Sequence, residues 1–212
     1  MTRWLLLLLI FLFLQTTPAG AQQQLLDFTK VYYRSNPFTG TMRQFLEHLM
    51  RDPEIQDKKI QHRTREQLFS FSGRYKKYSK FFFVPDSVRV VLLEMTTPGA
   101  DDINKPDTIM LYQISAYGSP GTKGQRDVLR EWEKMKRAWS KKFFEKEEED
   151  VVKDNVLTGK YLHLFLPLYT LSPLTIGWTT VQDPARAVLT LTLRLKQNEE
   201  YISLPGSLNN AQ

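Results

Sequence analysis

The nine residues AVLTLTLRL, 187–195, alternate without a break: Leu189, Leu191, Leu193 and Leu195 fall on one side, and Thr190, Thr192 and Arg194 on the other. Side chains of a strand point alternately to its two faces, so this pattern belongs to a sheet with one dry and one wet face. A leucine face needs cover. The stretch that offers it lies between residues 125 and 148, where there is no proline or glycine. There Val128, Leu129, Trp132, Met135, Trp139 and Phe143 recur at three- and four-residue steps. That spacing predicts one long amphipathic helix over Gln125–Glu148, its ring-rich side laid on the leucines. Glutamates at 145 and 147–149 oppose the dipole of a helix C-terminus, so the last turns are expected to fray.

Working outward, Leu174–Val181 and Lys160–Leu166 read as further strands. Thr108–Tyr117 alternates through Met110, Tyr112, Ile114 and Ala116. Its expected antiparallel partner is Val88–Met95, whose two apolar sides suggest a central strand covered on both faces. Ile60–Phe71 is expected to hold a strand, and Pro53–Lys59 a charged loop or turn. Met42–Arg51 carries Met42, Phe45, Leu46, Leu49 and Met50 at helical spacing. Thr41 and Gln44 stand in capping-box positions, and Asp52-Pro53 stops the helix. No repeat of fixed period is visible. Together these elements predict an α+β fold, mainly an antiparallel sheet covered by one long amphipathic helix, with a short helix before it. The expected division is a leader at 1–21, an arm at 22–40 that adds a short strand or a tether, one domain at 41–200, and a polar tail at 201–212. Two subdomains parted near Gly118–Gly124 or Asn155–Gly159 are the alternative.

The leader carries compartment information. Arg3, ten apolar residues from Leu5 to Leu14, and Ala19-Gly20-Ala21 have the layout of a secretory signal cleaved after Ala21. Ten apolar residues are too few to span a bilayer as a helix, so the mature chain is expected to carry no transmembrane span. Of the 212 residues, 191 would remain, with neither cysteine nor an Asn-x-Ser/Thr acceptor. A chain of that length can bury a core without disulfides, which suits a periplasmic or secreted protein of a bacterial envelope.

The chemistry read from motifs is sparse. His48 lacks a second histidine four residues away, and His163 stands on the strand side opposite Leu162 and Leu164. The acidic group Asp101, Asp102, Asn104 and Asp107 lacks the glycine and closing glutamate of a calcium loop. There is no Gly-x-Ser-x-Gly elbow and no phosphate loop, so neither a metal nor a cofactor is expected. A hydrolase built from scattered loops would draw first on Glu47, His62, Asp101 and His163.

Charge is more informative. The formal net charge is +6, and between Lys30 and Arg89 thirteen basic residues face six acidic ones. In RYKKYSKFFFV, 74–84, Arg74, Lys76, Lys77 and Lys80 surround Tyr75 and Tyr78 before three phenylalanines. One reading is an exposed basic loop with the phenylalanines inside, running into the next strand. The other is a contact surface for something acidic. On the long helix, Arg126, Arg130, Lys134, Arg137 and Lys141 advance by four, four, three and four residues, forming a basic stripe beside the tryptophans. Such a stripe is either the solvated back of a core helix or a docking face. An exported chain has little occasion to meet nucleic acid. The expected partner is therefore an envelope protein or an anionic membrane or polysaccharide surface, met by a non-catalytic binding or assembly component. If instead the long helix docks into a secretion or envelope complex, the protein is a subunit of it.

Overall fold

A computed structural model describes residues 18–61, 69–97, 107–166, 172–181, 185–197 and 202–203. The apolar run 5–14, His62, the Asp101 loop and most of the C-terminal tail lie outside these residues. The chain runs α1 (Pro18–Tyr32), α2 (Met42–Arg51), β1 (Ile55–Gln61), β2 (Ser70–Tyr75), β3 (Ser87–Thr97) and β4 (Asp107–Tyr117). It continues with α3 (Thr122–Trp139), β5 (Glu145–Lys153), β6 (Val156–Phe165), β7 (Leu174–Val181), β8 (Arg186–Gln197) and the short β9 (Ile202–Ser203). Eight strands form one sheet in the order β1-β2-β3-β4-β8-β7-β6-β5, with β9 paired to β8. Every pairing is antiparallel. The protein is mixed α+β and dominated by its sheet.

The order has an internal logic that no sequence period announces. A helix followed by a four-stranded meander occurs twice, α2 with β1–β4 and α3 with β5–β8. The two meanders join through their last strands, β4 and β8, over the register Ile109↔Lys196 to Tyr117↔Val188. The stretch 187–195 is thus the seam of the sheet. Leu189, Leu191, Leu193 and Leu195 are fully buried, facing the same core as Tyr112, Ile114 and Ala116 from β4.

Three helices share the cover that the sequence assigns to one. Met42, Phe45 and Leu49 of α2 are buried, and Thr41 and Gln44 form the expected reciprocal cap. The region read as an arm is a helix. Leu25, Phe28 and Tyr32 of α1, with Tyr33 just beyond it, are core residues. A strand or tether was the expectation from Leu25, Leu26 and Phe28; the three- and four-residue steps of Leu25, Phe28 and Tyr32 are the helical signal.

Three further expectations change. The long helix ends at Trp139, and the acidic run beyond it forms the edge strand β5. Its turn back into β6 explains why. Asp154 and Asn155 both adopt positive φ, 52° and 61°, the two central positions of a tight hairpin whose twist matches the strands. Pro53–Lys59 is largely strand β1, interrupted by a bulge where Asp57 takes φ 54°. Its charges hide the pattern but suit an edge. On β3, Val88, Val90 and Leu92 are buried whereas Val91 and Leu93 are half-buried, so the strand is covered fully on one face only.

Candidate functional site

The segment 74–84 divides between inside and outside residue by residue. Tyr75 closes β2 and is buried; desolvation pushes its hydroxyl pKa up to about 12. Beyond it the rings of Tyr75, Tyr78, Phe81 and Phe83 follow one another, with centroids 5.0, 5.3 and 5.8 Å apart. This file is fastened to the α1 region. The Tyr78 hydroxyl donates to the Tyr32 carbonyl, Lys80 Nζ donates to the Lys30 carbonyl at 3.1 Å, and Arg34 donates to the Lys77 carbonyl at 3.0 Å. Phe81 to Val84 is therefore a loop and not the start of β3, and the expectation that its phenylalanines all point inward fails for one of them. Phe82 is 74% exposed and Val84 90%, while Lys76 and Lys77 are exposed beside them.

Arg74 belongs elsewhere. It pairs with Asp57 at 2.9 Å and lines a separate cleft with Lys58, Lys59 and Arg89.

The tryptophans beside the basic stripe are core. Trp132 donates its indole N–H to the Ile176 carbonyl at 3.3 Å, and Trp139 is equally buried. The stripe is thus the outside of a core helix over most of its length. Arg126 and Arg137 are exposed on α3, and Lys141 lies past the helix end. Its middle is different. Arg130 and Lys134 line a cleft of about 550 Å³ whose opposite wall is Phe82, Phe83 and Val84. Lys134 Nζ sits over the Phe82 ring as a cation–π pair. The two basic stretches picked out in the sequence therefore meet at one place, through Phe82–Val84 on one side and Arg130 and Lys134, 46 or more positions further on, on the other.

Sequence reasoning missed five members of this cleft: Ser119, Lys123, Gly124, Asp127 and Glu131. Glu131 is 3% exposed. The Phe82 backbone N–H favours its charged form, and Oε1 has no protein partner. Burial raises its pKa above the ordinary 4.5, with the Phe82 N–H and Lys134 opposing. A signal existed. Glu131 lies three residues after Val128 and four before Met135, inside the apolar spacing of α3.

Of the residues named for a hydrolase, His62 and Asp101 lie outside the described residues, and Glu47 and His163 are not brought together. Glu47 is on α2, in ion pairs with Arg43 and Arg51. His163 is on the far face of the sheet, with Nδ1 3.1 Å from the Thr175 hydroxyl and Nε2 3.0 Å from Glu149. Arg194 donates to the same hydroxyl at 2.8 Å. Facing an acceptor-only carboxylate, Nε2 donates to Glu149, and in the neutral imidazole Nδ1 then accepts from the Thr175 hydroxyl. The chain of groups bridges β5, β6, β7 and β8. Thr175 is buried and its hydroxyl fully engaged, so the arrangement works as a cross-strand tie and not as a nucleophile. Among the described residues no cluster of His, Asp and Glu is placed to hold a metal ion, and no helix is long and apolar enough to cross a membrane.

No protein-family model, no curated protein and no solved structure matches this chain.

Proposed function

We propose that the protein is an exported, non-catalytic binding component of a bacterial envelope that docks on an anionic membrane face through the 76–84 loop and the adjoining side of α3. The observation that carries this reading is the exposure of Phe82 and Val84 within a ring of Lys76, Lys77, Lys123, Arg130 and Lys134. Apolar side chains gain by leaving water for the acyl boundary, at roughly 25 cal/mol per Å². Each nearby lysine or arginine adds about 1 kcal/mol at an anionic surface. Rings and cations held on one rigid loop combine the two terms, which singly give only weak association. The anchors to Lys30, Tyr32 and Arg34 keep that loop in place without ordering cost at the surface.

Sedimentation with phosphatidylglycerol-containing vesicles at low and high salt is the test. The wild type is expected to sediment with the vesicles and to be released by salt. Replacing Phe82 and Val84 by Ser, or Lys76, Lys77 and Lys134 by Glu, is expected to abolish retention. Replacing Val152 and Val156, exposed at the β5–β6 hairpin, is expected to leave it unchanged. Equal retention of the wild type and the Phe82/Val84 variant would remove the loop from the account.

A further inference from the structure

The cleft behind the loop has more chemistry than attraction to negative charge requires. Lys123, Asp127, Arg130, Glu131 and Lys134 place three cations and two carboxylates on neighbouring turns of α3, facing the apolar wall of Phe82, Phe83 and Val84. A simple anion gains nothing from Glu131. A simple amine gains nothing from the three cations. A ligand that carries both signs a few bonds apart, next to hydrocarbon, uses all of them.

We infer that this cleft is a headgroup site for an aminophospholipid, in which a primary ammonium meets the carboxylates of Glu131 and Asp127 while the phosphodiester meets Lys123, Arg130 and Lys134. The inference rests on the membrane-docking reading and specifies which lipid completes it. The glycerol and first methylenes of the acyl chains then lie along Phe82 and Val84, the two side chains that face solvent.

The unpartnered oxygen is the strongest pointer. A buried carboxylate with one empty acceptor position bears a desolvation cost that a donor relieves, and a charged donor relieves most. The upward push on the Glu131 pKa has the same origin, and an ammonium would reverse it. The cleft volume of about 550 Å³ lies within the range of small-molecule sites. Donation is the discriminating chemistry: a primary ammonium offers N–H groups to the two carboxylates, whereas a trimethylated one offers none and adds three methyl groups against them.

The experiment has two arms on the purified protein. In the first, sedimentation is compared with vesicles of phosphatidylcholine alone, phosphatidylcholine with phosphatidylethanolamine, and phosphatidylcholine with phosphatidylglycerol. The expected result is about tenfold or stronger retention with phosphatidylethanolamine than with phosphatidylcholine alone, the effect of one hydrogen bond to a charged group. Glu131→Gln keeps the acceptor for Phe82 N–H and is expected to lose that preference while still sedimenting with phosphatidylglycerol. In the second arm, soluble glycerophosphoethanolamine is expected to shift amide resonances of Phe82, Glu131 and Lys134, with glycerophosphocholine and inorganic phosphate far weaker. Vesicle binding without any preference for phosphatidylethanolamine overturns the headgroup site and leaves membrane docking standing. Headgroup-specific shifts without vesicle binding do the reverse. Persistence of the preference in Glu131→Gln, with Lys134→Ala equally unaffected, also overturns the site.

Discussion

The indole N–H of Trp139 donates to the hydroxyl of Tyr32 at 3.3 Å, linking positions 107 residues apart and closing a cluster of rings with Phe28, whose centroid is 5.0 Å from that of Trp139. The bond ties the end of α3 to the end of α1, so the first helix is part of the core and supports the 76–84 loop from below. Tyr32→Phe leaves a buried N–H without a partner and is expected to cost about 1–3 kcal/mol. Phe28→Ala is expected to cost about 3–5 kcal/mol through its cavity. Urea denaturation checks both as a fall in midpoint at constant slope. A neutral Phe28→Ala would return the segment to the status of an arm.

Glu131 gives a pH dependence with a definite sign. Its folded pKa is raised above 4.5, so between 4.5 and that higher value the native state holds more protons than the unfolded one. Stability from this group is complete below 4.5 and is lost as pH rises through the folded value. Above the folded value the charged, buried carboxylate is therefore a liability, and there Glu131→Gln is expected to be as stable as the wild type or more so. A gain of about 1 kcal/mol corresponds to roughly 2–4 °C in Tm for a chain of this size. Thermal melts of both proteins at pH 4 and pH 7 provide the check. The expected gain is larger at pH 7, and a variant that melts lower at pH 7 contradicts the assignment.

Thr175 holds the outer face of the second meander together. Thr175→Val keeps the shape but removes the acceptor for Arg194 and the donor for His163, both half-buried. The expected loss is about 1–3 kcal/mol, with Thr175→Ser close to the wild type. Amide hydrogen exchange in β6 and β7 is expected to quicken in the valine variant alone.

How much of this was legible follows from what each pattern measures. The seam at 187–195 was readable because strand alternation and burial coincide there, and Thr41 with Gln44 because a cap is a local device. The end of α3 was not. Glu145 to Asp150 lack any apolar period, and their strand state comes from pairing with β6 and the Asp154-Asn155 turn. In the same way, both basic stretches were visible as charge, but their meeting at Phe82 depends on how the loop crosses α3. Tyr75 and Tyr78 read as possible contact residues; they are buried wholly and in part because the file of rings continues the core. Which of three consecutive phenylalanines faces water cannot be read from three identical letters.

Gly124 sits where the first turn of α3 crosses the 118–121 turn. A Cβ built on it would stand 1.9 Å from the Ser119 carbonyl oxygen, a backbone atom with no room to yield. Gly→Ala inside a helix ordinarily gains up to about 1 kcal/mol. Here the clash reverses the sign, and Gly124→Ala is expected to destabilise by about 1–3 kcal/mol. Because Gly124 and Ser119 both line the cleft beside Phe82, the variant is also expected to weaken vesicle retention if that cleft is the docking site. Denaturation and sedimentation of one preparation measure both effects, and unchanged stability would mean the turn moves aside.

Among the described residues strand β5 pairs with β6 alone, which makes it an edge of the sheet. Open edges invite sheet-to-sheet association, and like charge along the edge opposes it. Glu145, Glu147, Glu148, Glu149 and Asp150 are all exposed there. Three of them have partners: Glu148 in an ion pair with Lys136 at 2.6 Å, Asp150 in one with Lys160 at 2.9 Å, and Glu149 in a hydrogen bond with His163 at 3.0 Å. Replacing Glu145 and Glu147 by Thr keeps those pairs, raises strand propensity and removes two negative charges from the edge. The variant is expected to fold with unchanged or slightly higher stability yet to self-associate at concentrations where the wild type stays monomeric. Light scattering across a concentration series, repeated at high salt, reads the outcome. Salt should push the wild type toward the behaviour of the variant, because screening weakens the same repulsion. A variant as monodisperse as the wild type under both conditions would show that the edge is protected by its geometry and not by its charge.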